Sequence, residues 1–149
     1  MTNSGARRPY SAEAIERGDL PPALDPKTAP ASRVIEFISE YFRIWNRKDA
    51  KALAAQIYRV DPAYPTGSEA GLQRALDRAA AEGWDYSTLD AIDIHPWDGE
   101  GYLARGLYSR FTADGGATAY AGCLTAYVVR DFPDGLRITD LPLVYGRSS

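Results

Sequence analysis

Cysteine, histidine and methionine each occur once in the 149 residues, as Cys123, His95 and Met1. A single cysteine excludes an internal disulfide and any cysteine-based metal cage within one chain. A single histidine without a compact carboxylate cluster makes a zinc site improbable, so no metal is expected. Cys123 itself reads as a small buried hydrophobe, because no partner histidine is spaced to make it a nucleophile. No apolar run approaches the roughly 18 residues that a spanning helix needs. The first twenty residues hold three arginines and no apolar stretch, which is not the pattern of a secretory signal. A cytoplasmic location without membrane contact is the expectation. Charge of one sign is also missing: seventeen basic and twenty acidic residues give a net charge of -3. Arg43, Arg47, Lys48 and Lys51 are interrupted by Asp49 near a helix junction, which makes a solvated face and not a nucleic-acid surface.

What is present is the composition of a folded chain, 45% apolar and 25% charged. Residues 1–31 are rich in proline, alanine and charge; "LPPALDPKTAP" cannot hold a regular element for long. We expect a partly disordered N-terminal arm here, with "SAEAIERG" as a short helix capped by Ser11, and one domain over residues 32–149. Beyond Ser32, a plausible N-cap, Val34, Ile35, Ile38, Tyr41, Phe42 and Trp45 fall at three- and four-residue spacings, the mark of an amphipathic helix. Asp49 is placed to cap a second helix with Leu53, Ala54, Ile57 and Tyr58 on its apolar side. Thr66 and Glu69 have capping-box spacing ahead of a third, through Leu72, Ala75, Leu76 and Ala79 to the natural stop Gly83.

From Tyr86 the period changes from helical to alternating. Four strand-like runs cover about Ser87 to His95, Tyr102 to Thr112, Ala117 to Arg130 and Leu136 to Tyr145. The separators "WDGEG", "ADGG" and "FPDG" each carry the Asp-Gly pair of tight hairpins, so consecutive strands should pair antiparallel. Helices followed by a meander of strands predict an α+β fold, with three N-terminal helices covering one face of the sheet.

Specific segments join that order of elements. The opening helix "VIEFISEYFRIWNRKDAKAL", the third helix "TGSEAGLQRAL" and the final hairpin "FPDGLRITDL" together resemble the nuclear transport factor 2-like superfamily, which includes ketosteroid isomerase and the SnoaL-type polyketide cyclases. The resemblance spans roughly Ala31 to Tyr145. It implies a cone-shaped half-barrel with a pocket at its wide end and frequent homodimerisation through the outer sheet face. It also implies a small, hydrophobic, oxygenated ligand bound without metal or organic cofactor and, for catalytic members, isomerisation, cyclisation or dehydration by proton transfer. The chain departs from two branches. Arg105-Gly106-Leu107 lacks the aspartate of the Arg-x-Asp pair in limonene epoxide hydrolases, and His95 alone cannot supply the two histidines of scytalone dehydratase. Fold does not settle activity.

In "YLARGLYSRF", the row Leu103, Arg105, Leu107, Ser109 and Phe111 looks made for a core yet holds an arginine. A buried guanidinium must be paired. Asp140 interrupts the row Leu136, Ile138, Pro142 and Val144 in the same way, which suggests one polar spot inside an apolar cavity. In this reading Asp140 or Asp93 is the base, Tyr58 or Arg105 stabilises a developing oxyanion, and Leu107 joins the lining. The alternative for Arg105 and Asp140 is a structural ion pair. Asp93 and His95 alternate with Ile92 and Ile94. If the isoleucines face the helices these two point outward; in the opposite register they form an acid/base pair at the pocket mouth. Tyr41 and Trp45 are expected as cavity wall or core. Tyr127 lies in "AYAGCLTAYVVR", apolar on both rows, which suggests a second buried surface such as a dimer interface. The competing function is a non-catalytic dimeric ligand-binding or protein-interaction module with a closed cavity.

Overall fold

The computed structural model describes residue 21 and residues 31–59, 67–97, 101–116 and 122–147, with side chains up to residue 139. Nearly all of the expected arm, the Thr66 cap, the start of the third strand at Ala117 and the side chain of Asp140 lie outside the described residues.

Helix α1 runs Ser32–Asn46 and buries Val34, Ile38, Tyr41, Phe42 and Ile44. Ser32 is its first helical residue and not its cap. Ala31 takes the cap position, its carbonyl accepting from the N–H groups of Val34 and Ile35 at 2.9 and 3.0 Å. Lys48, at φ 59°, turns the chain. Asp49 then caps α2 (Ala50–Ala52), its side chain accepting from the N–H of Ala52 at 3.0 Å. That helix continues as a π-helical turn, Leu53–Ile57, after which Tyr58 is extended. Helix α3 is Glu69–Ala81. Its cap is Ser68, which accepts from the N–H of Gly71 at 3.0 Å, two residues after the expected Thr66. Gly83, at φ 94°, follows its end, where a left-handed residue suits glycine.

The strands are β1 (Tyr86–Trp97), β2 (Gly101–Phe111), β3 (Cys123–Phe132) and β4 (Gly135–Arg147). They form one antiparallel meander in the order β1-β2-β3-β4. The helical layer is tied to the last strand at Tyr58, which bridges Ile138 in parallel, and Arg59 donates its N–H to the Ile138 carbonyl at 2.9 Å.

Which face of the sheet meets the helices is decided by a bulge. The β1–β2 register shifts between Leu89 and Ala91, so Leu89 enters the core, the extra residue Asp90 does not, and Ile92 and Ile94 follow on the core side. On β2 the core row is Tyr102, Ala104 and Tyr108, with Gly106 between them. The sequence suggested the other row, Leu103, Arg105 and Leu107, which lies on the outer face. The reason is space. A Cβ on Gly106 would sit 3.0 Å from Leu89 Cδ1, so the middle of this row is small because Leu89 presses on it.

Candidate functional site

Between α1, α3 and the inner sheet face lies a cavity of about 420 Å³, within the range of small-molecule sites. Its existence follows from α3. Gly71, Ala75 and Ala79 recur every four residues, so they share one helical stripe, and all three line the cavity where longer side chains would fill it. The opposite wall is aromatic: Tyr41, Phe42 and Trp45 from α1, Tyr58 after the π-helical turn, Trp84, Tyr108 and Tyr127. Tyr41 is the hub of this wall. Its ring meets those of Phe42, Trp45, Tyr58 and Tyr127 edge to face at centroid distances of 5.3 to 6.2 Å.

At the buried end the Tyr58 hydroxyl donates to the Tyr41 hydroxyl at 3.0 Å. Two phenols that share one hydrogen bond hold one proton more than the bond uses, and that proton is available to a ligand oxygen. The indole Nε1 of Trp45 is buried close to both hydroxyls without a well-formed bond to either, which adds a second open donor. Burial pushes Tyr58 and Tyr127 well above the ordinary phenol value, and the neighbouring Tyr41 pushes both further. Burial also raises Tyr41, opposed by the hydrogen bond from Tyr58, by the Trp45 and Tyr127 donors close by and by the positive charge of Arg110. These groups are donors, not bases.

The sign for stability follows. A phenol kept neutral by folding contributes stability that is whole below the unfolded value of about 10 and is lost as pH rises toward the folded one. Of the ten tyrosines, Tyr41, Tyr58 and Tyr127 are expected to stay un-ionised in an alkaline absorbance titration until the chain unfolds. Ionisation of all ten in one early step would contradict this placement.

At the exposed end stand Arg74 and Arg78 on α3, with Arg110 of β2 half-buried. Ser87 and Thr125 complete the polar lining. Ser87 is committed elsewhere: its Oγ accepts from Trp84 Nε1 at 2.9 Å, and its N–H donates to Asn46 at 2.8 Å. No aspartate, glutamate or histidine belongs to the described lining.

Of the residues that the sequence singled out, Tyr41, Trp45, Tyr58 and Tyr127 lie on this cavity. Asp93, His95, Arg105 and Leu107 are not among its described lining residues. Asp93 and Arg105 face each other across β1 and β2 on the outer face. Arg105 clasps Asp93 with two hydrogen bonds, Nε to Oδ1 at 3.0 Å and Nη2 to Oδ2 at 2.6 Å, and His95 Nε2 lies 3.1 Å from Oδ1. Ile92 and Ile94 face the helices, which turns Asp93 and His95 away from them. Asp140 is paired in register with Val128, beside a shift in the β3–β4 ladder. The sequence reading missed Arg74, Arg78 and Arg110. The signal for them is Gly71, Ala75 and Ala79, four residues apart on α3, with Arg74 and Arg78 at the same spacing beside them. Among the described residues, no group of three or more His, Cys, Asp or Glu side chains is placed to hold a metal ion, and no helix is long and apolar enough to cross a membrane.

No protein-family model matches the chain, and no curated protein sequence matches it. Among solved structures it is similar to a nuclear transport factor 2-like superfamily protein from Salmonella enterica serovar Typhimurium, at 21% identity and a TM-score of 0.55, over 76% of this chain and 88% of that one. A candidate aromatic ring hydroxylase from Novosphingobium aromaticivorans aligns at 16% identity and a TM-score of 0.49, over 76% of this chain and 90% of that one. The fold is that of the nuclear transport factor 2-like superfamily.

Proposed function

We propose that this nuclear transport factor 2-like fold binds a small, flat, hydrophobic molecule that carries an oxygen at its buried end. The observation that carries the reading is the spare phenol proton of the Tyr58–Tyr41 pair, beside the open Trp45 N–H, at the bottom of an aromatic-walled cavity. Rings supply stacking area, and the donors fix which end of the ligand goes in. The same donors suit an oxyanion, which keeps the ketosteroid isomerase-like and SnoaL-like resemblance relevant. Turnover by proton transfer also needs a base, and the described lining offers none. Binding is therefore the primary function we assign, and Asp140 is the position through which a catalytic version would be tested. A homodimer through the outer face belongs to the same reading, supported by the half-exposed Leu103 and Leu107 there.

The test is calorimetric titration of the full chain with 2-naphthol, a fused-ring alcohol that is neutral at pH 7. We expect saturable binding, weakened roughly fivefold to tenfold by the double variant Tyr41→Phe, Tyr58→Phe, which leaves the ligand oxygen no phenol proton and removes the worth of one hydrogen bond. No saturable heat from the unaltered protein would overturn the reading.

A further inference from the structure

Among the described lining, the polar charge around the cavity is all of one sign. Arg74, Arg78 and Arg110 contribute guanidinium groups, and for Arg74 and Arg78 no described carboxylate of the lining stands opposite. Arg74 and Arg78 lie four residues apart on α3, so they stand on one side of the helix along the edge of the small-residue stripe. Their nearest acid along the helix is Asp77, which is occupied by Gln73 Nε2 at 3.0 Å and forms no ion pair with either arginine. Arg33 and Arg59, exposed like them, are matched. Arg33 clasps Asp131 and Arg59 clasps Asp134, each through two hydrogen bonds. The two on α3 thus differ from their counterparts in having a cavity where those have a carboxylate.

Arg110 joins them from the sheet. It lies over the Tyr108 ring at 5.9 Å, and its charge reaches the Tyr41 hydroxyl at the buried end. The cavity therefore runs from neutral donors inside to cations outside. A neutral ligand would use only the first of these. A ligand with a carboxylate at its outer end would use both, because a guanidinium fork binds a planar carboxylate through paired hydrogen bonds.

We propose that the ligand is an aromatic or polycyclic carboxylate, held with its ring system against the Tyr41 wall and its acid group at Arg74 and Arg78. This deepens the binding reading above and rests on it. Because both arginines on α3 are exposed, each contact is of the modest, salt-screened kind, and together they account for about tenfold in affinity.

Two probes of one shape separate the two ideas. The full chain is titrated with 6-hydroxy-2-naphthoate, which adds a carboxylate at the far end of the ring system from the hydroxyl, and with 2-naphthol at low and at raised sodium chloride. We expect the carboxylate to bind about tenfold more tightly at low salt, with the advantage shrinking as salt rises. In the double variant Arg74→Gln, Arg78→Gln the ratio between the probes is expected to fall toward one, with circular dichroism reporting an unchanged fold. If 2-naphthol binds and 6-hydroxy-2-naphthoate has no advantage, or the advantage survives both substitutions, the carboxylate proposal is wrong and the cavity reading stands. If neither probe binds, the cavity reading fails and this proposal falls with it.

Discussion

Replacing Arg105 by leucine is expected to lower the melting temperature by roughly 6–12 °C, the equivalent of about 3 kcal/mol in a chain of this size. The Asp93 side chain has 0% of its surface exposed, whereas Arg105 keeps 39%. Removing the arginine strands a carboxylate that cannot reach water and loses both of its strong hydrogen bonds. Removing the acid leaves a guanidinium that can turn outward, so Asp93→Leu should cost less. His95, 3.1 Å from Asp93 Oδ1, does not replace the fork, since its nitrogen is poorly aligned. The double variant Arg105→Leu, Asp93→Leu should recover much of the loss, because an apolar pair of similar size carries no desolvation cost. Thermal melts of the two single variants and the double decide the matter. A double variant no better than Arg105→Leu would show that the cost lies in packing and not in the stranded charge.

The second large effect concerns the cavity. Ala75→Trp should reduce affinity for 2-naphthol at least a hundredfold while leaving the melting temperature unchanged or higher. Ala75 is half-buried on the cavity side of α3, between Gly71 and Ala79 of the same stripe. An indole there would lie across the space toward Tyr41 and take the place of the ligand ring, and would bury apolar surface in doing so. A variant that unfolds would mean that the stripe is a packing surface. One that binds normally would place the ligand elsewhere. Calorimetry beside a melt separates these outcomes.

The helices and the meander were legible because their periods are strong and the turn "FPDG" joins β3 to β4 directly, with Gly135 at φ 123°. Cap positions slipped by one or two residues, since Ser68 and Thr66 are chemically equivalent caps and only the folded chain chooses between them. The facing of β2 was misread for a different reason. Its inner row is small at Ala104 and Gly106 because Leu89 presses against it, and the Asp90 bulge that brings Leu89 there leaves no mark in a simple alternation. Arg105 was anomalous in its row, and the fold gives it a buried partner twelve residues upstream. The aromatic wall was visible as helical aromatics. The cationic rim was not, because exposed arginines on a helix ordinarily mean only solvation.

The joint between Tyr58 and Ile138 has a consequence in time. The two residues are separated by most of the chain, yet the backbone that presents the Tyr58 phenol is held in place by the last strand. A polypeptide emerging from the ribosome therefore cannot assemble the inner end of its binding site until its final hairpin has been made. On the proposed binding reading, a chain cut short before β4 is expected to take up no ligand.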